Sequence, residues 1–401
     1  MRKSLNFPGP LTIPASASYA LDFMRAISAL LVLLSHVRPL FFVDFALVEK
    51  KSPLVKMFYL LTGLGHESVV IFFVLSGLLI GVSVLRVHTR NSWNWRDYLL
   101  QRMSRLWVVL IPALFLTLFW DWNGMRLFGT DSVYSGLPSD KFILGFNTFE
   151  RLDTKTFFQN VFFLQGTTGV TFGTNGPLWS LAYEFWYYIA FPCVLGIYTA
   201  PSTLSKLTHL VLLILMGVFL GRDILFYFPL WLMGVAILFL PKLWRNYKSA
   251  SPVWIGISIG ILFLSLIVSA LKNNNWLSYV IGFSCIALIY FVFRLPSADP
   301  STHVDVKSTK NPRHSLIKRM ADFSFSLYVL HLPPLVFLHG LLWQRGIEKW
   351  QPSLTSIALG TVISLSVILY AYVISLLTEN HTDKVRRWVK KKLFERPLVA
   401  V

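Results

Sequence analysis

Apolar stretches of about twenty residues recur along this chain, separated by short polar segments rich in Lys and Arg. A helix rises 1.5 Å per residue, so about 20 residues cross a hydrocarbon core of about 30 Å. No other feature limits the fold as tightly, because backbone N–H and C=O groups in lipid must be satisfied within the spanning segment itself. A soluble protein of 401 residues would have to cover its surface with 14% charged residues while burying a 55% hydrophobic chain, and it has too little polar material to do so. The sequence therefore predicts an all-α integral membrane protein, a bundle of about ten transmembrane helices. The spans read as 19–43, 66–87, 98–122, 177–198, 206–221, 224–241, 252–271, 276–294, 319–342 and 354–378. Only Arg222 and Asp223 separate the fifth from the sixth, which read as a tight helical hairpin or as one broken span.

A net charge of +18 would suit nucleic acid if the bases shared one exposed face, but here they lie between apolar blocks. The expected partner is membrane lipid, with no nucleic acid. Lys and Arg are roughly twice as frequent in the connections on the side of the two termini, which places both termini in the cytosol. The organisation that follows is a cytosolic N-terminal tail over 1–18, a membrane domain over 19–378 and a basic cytosolic C-terminal tail over 379–401. The small-residue run ASASYA precedes the first apolar block instead of following it, so that block reads as a retained span, not a cleaved signal. The long outer connection 123–176 is aromatic (FFQNVFFLQG, TFGTNG) and is expected to be ordered and to fold over the outer mouth. The polar stretch 296–315 reads as a flexible linker. Cys193 and Cys285 both fall inside spans, which leaves no disulfide framework or CxxC metal site.

Four groups of residues carry chemistry. The first span, LDFMRAISALLVLLSH, holds Arg25 and His36 eleven residues apart. Eleven steps of about 100° return to within about 20°, so both share one helix face, about 16 Å apart in depth. Ionisable groups inside a span are costly and mark function, although Arg25 also suits snorkelling and His36 a bond to a neighbouring helix. Arg102 and Arg105 in LLQRMSRLW stand one turn apart at the cytosolic end of the third span, a spacing suited to phosphate oxygens and also to anchoring.

Glu184 lies within the aromatic fourth span, GTNGPLWSLAYEFWYYIAFP. It falls about 21 Å from the cytosolic end and His36 about 25 Å, so the carboxylate is expected to pair with the imidazole and orient it. A structural carboxyl held between helices is the alternative. Trp179 and Tyr183, like the other aromatic residues of this span, read as interfacial belt and packing more readily than as a sugar platform, with Trp179 facing the mouth. In the ninth span, Ser324, Ser326, Tyr328 and His331 of SFSLYVLHLPP read as contacts between helices, and Pro333–Pro334 as a local helix break. His66 and Glu67, at the outer end of the second span, fit catalysis or a loop equally well.

These stretches together resemble the acyltransferase 3 family of bacterial membrane acyltransferases. The likeness is carried by LDFMRAISALLVLLSH, VVIFFVLSGLLIG, QRMSRLW and PLWSLAYEFWYY, and by FSFSLYVLH, over roughly residues 19 to 378. The family's arginine-x10-histidine motif matches Arg25 and His36, and its RxxR motif matches Arg102 and Arg105. The resemblance implies transfer of an acyl group, acetyl foremost, from cytosolic acyl-CoA to a hydroxyl of a glycan or lipid-linked sugar. It also implies a bacterial inner membrane, no metal, and glycan-assembly proteins as possible partners. One departure is that members commonly follow a late Glu closely with a basic residue and proline, whereas Glu379 here precedes Asn380 and His381; Glu379 therefore carries no weight. Many relatives also have a soluble C-terminal hydrolase-like domain, while this chain stops at Val401 and is expected to act alone or with a separate partner.

The expected mechanism places the nucleotide phosphates of the donor on Arg25, Arg102 and Arg105. His36 acts as general base on the acceptor hydroxyl or as transient acyl carrier, oriented by Glu184. Ser76 and Ser326 are unranked candidates for stabilising the oxyanion. A transporter of a small solute and a purely structural or sensory membrane protein are the rival classes, and a small-molecule natural product is an alternative acceptor.

Overall fold

The structure is a computed structural model that describes residues 13–90, 92–129, 132–136, 144–240, 250–272, 274–295 and 312–394. The expected linker lies outside the described residues over 296–311, and its last four residues open the helix Pro312–Asp322 in place of a flexible segment; residues 1–12 and 395–401 of the two tails also lie outside the described residues. The described residues are helical, with no strand among them.

Every apolar block expected to span forms helix: Ala15–Phe41, Gly65–Thr89, Trp95–Phe128, Leu178–Thr199, Thr203–Phe219, Arg222–Ala236, Pro252–Lys272, Leu277–Phe293, the pair Ser324–Leu330 and Leu332–Gln344, and Leu354–Leu377. Among the described residues, six helical stretches are long and apolar enough to cross a membrane, or up to seven if the bent pair is one span. The remaining apolar helices fall short of that length or composition. Thr203–Phe219 and Leu277–Phe293 have 17 residues each, about 26 Å of helix against a core of about 30 Å. Leu178–Thr199 has the length, but Trp, Tyr and Glu184 dilute its apolar character. The fifth and sixth blocks are separate helices, because the chain leaves helical geometry at Leu220 and Gly221.

The chain divides into two compact units. One comprises Met1–Ser35, Val48–Asn91 and Ser180–Ser324. At its centre the helix Gly65–Thr89 is buried along most of its length against Arg222–Ala236. Glycines set this contact: a Cβ on Gly77 would lie 1.9 Å from the Trp231 carbonyl oxygen, and one on Gly234 would lie 1.9 Å from that of Val74. The two backbones therefore touch, the close approach that small residues permit in membrane helices. Around this contact Glu67 is buried and accepts a hydrogen bond of 3.0 Å from the Ser269 hydroxyl, and Tyr227 shares a 3.1 Å hydrogen bond with His66. Cys193 and Cys285 are free and buried.

The other unit comprises His36–Leu47, Ser92–Trp179 and Phe325–Val401. Its backbone is the 34-residue helix Trp95–Phe128, about 51 Å long, capped at its start by the Asn94 side chain. Described parts of the connection 123–176 pack onto this helix, with the Trp107 indole N–H donating to the Val161 carbonyl at 2.8 Å. Helix Thr154–Val161 starts at Asp153, whose carboxylate accepts from the Thr156 hydroxyl at 2.6 Å and from its N–H at 2.9 Å. Those bonds, the hydroxyl's first, hold the Asp153 carboxyl below its usual range. The cap is therefore complete above the usual carboxylate pKa and is lost as pH falls through the lowered value. Phe163 and Phe172 are buried beyond this helix, and Asn160 bonds Thr156 and Val170 carbonyls at 2.9 Å each. Aromatic side chains thus supply the buried interior of the described part of this connection, 144–176.

A buried carboxylate closes the segment. Asp121 accepts from both the N–H and the hydroxyl of Thr174 at 2.7 Å, and it is 0% exposed. Gly173 has φ +54 and passes so close that a Cβ there would lie 2.2 Å from the Asp121 carboxylate. Asp121→Ala is expected to leave two buried donors unpaired and to cost on the order of 2–4 kcal/mol. A lowered thermal unfolding midpoint in detergent, with early proteolysis in 144–176, would register that loss.

Candidate active site

His36 and His331 meet in the second unit. His331 Nε2 lies 3.2 Å from His36 Nδ1, with ring centroids 5.0 Å apart at 56°. His331 is 1% exposed, whereas His36 is half-buried. The sequence places His331 here through its two following prolines. Ser324–Leu330 and Leu332–Gln344 meet at a 43° bend, because a proline ring lacks an N–H and clashes with the preceding turn. Pro333 cannot donate to the Val329 carbonyl four residues back, and the Asn175 amide does so instead at 2.9 Å. Asn175 also donates to Thr117 at 3.1 Å. At the bend itself, the Leu327 carbonyl accepts from His331 Nδ1 at 3.0 Å.

Arg102 and Arg105 stand on the long helix of the same unit, but they do not form one symmetrical fork. Arg102 is 8% exposed, with its guanidinium 5.4 Å from the centre of the Tyr98 ring and a 3.3 Å bond to the Gln101 side chain. Arg105 is far more open, and its guanidinium lies 3.5 Å from Glu379. Glu379 in turn accepts from the Ser326 hydroxyl at 2.7 Å and from its N–H at 3.3 Å. Glu379, which the motif comparison sets aside, is thus a buried carboxylate joined to one of the two arginines.

Arg25, Tyr183 and Glu184 belong to the first unit. Arg25 lies 3.7 Å from Asp22 on its own helix and donates to the Ser324 hydroxyl at 3.3 Å. Glu184 Oε1 accepts from the Ser76 hydroxyl at 2.6 Å and also from the Tyr188 hydroxyl. Ser76 accepts from the Trp231 indole N–H at 3.1 Å. Tyr183 is buried, with its ring stacked on Phe73 at 6.3 Å and 6.1 Å from that of Tyr227. Trp179, at the first turn of Leu178–Thr199, falls in the second unit and is half-buried.

The described hydrogen bonds join His36 to His331 in the second unit and Glu184 to Ser76 and Tyr188 in the first. Ser76 and Ser326 both direct their hydroxyl protons to carboxylates, so in this arrangement neither offers a proton to an oxyanion. Sequence reasoning passed over Asp121, although an Asp in the run LTLFWDW carries the same warning as any ionisable group in a span. Among the described residues, no group of three or more His, Cys, Asp or Glu is placed to hold a metal ion.

A family model described as an acyltransferase domain matches residues 18–374. An "O-acetyl transferase" of Shigella phage Sf6 is 26% identical over 336 residues, covering 79% of this chain and 84% of the phage protein. No solved structure matches the chain.

Proposed function

This chain belongs to the acyltransferase 3 family, and on that premise we propose that it moves an acetyl group from cytosolic acetyl-CoA to a hydroxyl of a sugar in an exported or cell-envelope glycan. The proposed setting is a bacterial inner membrane with both termini in the cytosol, where glycan-assembly proteins supply the acceptor. The observation that carries this reading is His36, a histidine within an apolar helix and in hydrogen-bond contact with a second histidine. An alcohol holds its proton too firmly to attack a thioester unaided, and an imidazole titrating near neutrality can take that proton.

In the proposed reaction His36 removes the hydroxyl proton as the acceptor oxygen bonds to the thioester carbonyl carbon. The C–S bond then breaks, and the CoA sulfur leaves with the proton carried by His36. The products are an O-acetyl ester and free CoA. A route through acetyl-His36 gives the same products, and rapid acid quenching of a reaction lacking acceptor separates the two by the presence of label on the protein. Arg25, Arg102 and Arg105 are proposed to hold the donor's phosphates, for which their guanidiniums have the charge and geometry. Trp179 and Tyr183 are proposed for the acceptor sugar. Glu184, which accepts from the Ser76 and Tyr188 hydroxyls, is proposed to orient His36.

Arg102→Ala and Arg105→Ala are each expected to raise KM for acetyl-CoA by roughly 10- to 100-fold and to weaken its salt dependence. Unchanged KM and salt response in both would remove the phosphate grip. For the acceptor, mass spectrometry of surface glycans from cells with and without the protein is expected to differ by one acetyl group. Identical glycans alongside an acetylated secreted small molecule would shift the acceptor to that class.

A further inference from the structure

We propose that His331 is a positioning residue that fixes the tautomer of His36, leaving His36 Nε2 as the unprotonated, reactive nitrogen. The proposal rests on the reading of His36 as the base and deepens it.

A backbone carbonyl only accepts, so the 3.0 Å contact between His331 Nδ1 and the Leu327 oxygen requires the proton to be on Nδ1. A neutral His331 then has its lone pair on Nε2. That atom faces His36 Nδ1 at 3.2 Å, and two lone pairs would repel, so His36 Nδ1 carries the proton and donates it. The neutral His36 ring has one proton, which leaves Nε2 with the lone pair. In water imidazole favours the opposite form, with Nε2 protonated, which could not accept a proton at that nitrogen. The chain Leu327 carbonyl, His331, His36 thus selects the minor tautomer. It performs the orienting role that a carboxylate or carbonyl plays for other functional histidines.

The bend provides the rigidity for this role. Pro333 and Pro334 interrupt the helix at His331, and Asn175 takes up the Val329 carbonyl that Pro333 leaves without a donor. His331 is 1% exposed, so water does not compete for its Nε2. When His36 takes the acceptor proton it becomes an imidazolium, and its Nδ1–H still points at the His331 lone pair. His331 therefore supports both states of the base without itself exchanging a proton.

Two variants separate this role from shape. His331→Phe keeps a planar ring but removes the acceptor; His331→Gln places an amide oxygen near the position of Nε2. Both are purified in detergent, and their monodispersity is confirmed before assay with labelled acetyl-CoA and membrane glycan. His331→Phe is expected to lower kcat roughly 10- to 100-fold with KM for acetyl-CoA unchanged, and His331→Gln to recover most of it. Full activity in His331→Phe, or equal loss in both folded variants, would overturn the proposal. A second readout needs no turnover. In 15N-histidine spectra of the wild-type protein, with His36 assigned by its absence from His36→Ala, Nδ1 is expected to be protonated and Nε2 bare. A protonated Nε2 would sink the tautomer assignment even if His36→Ala is inactive. Undiminished transfer by His36→Ala together with a bare Nε2 would instead remove the general-base reading and leave the hydrogen-bond arrangement standing.

Discussion

His36→Ala is expected to accumulate in membranes at wild-type levels and to transfer acetyl groups 10²- to 10⁴-fold more slowly, the range typical for loss of a general base. The reasoning has two parts. First, His36 is half-buried, and losing its hydrogen bond to His331 costs about 1 kcal/mol. Second, His331, the imidazole beside it, is 1% exposed and tied through Nδ1 to the Leu327 carbonyl, so it is not free to move into the place of His36. Ser76 and Ser326 have their protons engaged by carboxylates, and Glu184 is held by two hydroxyls. The loss should fall on kcat, because His36 is not assigned to the donor's phosphates. A variant that lost binding of acetyl-CoA and kept kcat would mean that the histidine serves the donor.

Gly77→Val is expected to be the most damaging single change to the fold. The added carbons would enter the space of the Trp231 carbonyl, which lies 1.9 Å from a Cβ at this position, and backbone cannot step aside as a side chain end can. The helices Gly65–Thr89 and Arg222–Ala236 would have to separate along a contact that Gly234 makes equally tight from the other side. Overpacking a core typically costs about 1–3 kcal/mol and more where backbone is struck, so little folded protein should survive solubilisation. Gly256→Ala and Gly260→Ala are the controls: nothing lies within 4 Å of a Cβ at either, and both should be neutral. Equal tolerance at Gly77 and Gly256 would contradict the packing described for the first unit.

Much of this architecture is readable from local sequence because lipid leaves the backbone few options. Each apolar block forms helix, and Pro333–Pro334 produces the bend that two missing N–H groups dictate. The site is less legible, for a geometric reason. Rise per residue assigns depth to Glu184 and His36, but depth alone does not name a side chain's partners, and Ser76 and Tyr188 as donors to the carboxylate were not legible. His331 was visible in SFSLYVLHLPP, yet hydroxyl-rich stretches so often join helices that its imidazole read the same way; its partner lies 295 positions away in the chain. Glu379 was set aside because the residues after it depart from a motif, whereas the carboxylate itself is what bonds Ser326 and Arg105. Asp121 needed only the rule that ionisable groups in spans are never idle, together with the Thr174 it holds.

The role proposed for His36 is to drive acetyl transfer from CoA to a hydroxyl. Its most direct test supplies acetyl-labelled acetyl-CoA to membrane vesicles that carry surface glycan and the protein, and follows CoA thiol release and alkali-labile label on the glycan together. The wild-type protein should release one CoA for each ester formed, and His36→Ala at equal abundance should do neither above background. Glycan acetylation by His36→Ala at the wild-type rate, or uptake of a solute with acetyl-CoA left intact, would contradict it.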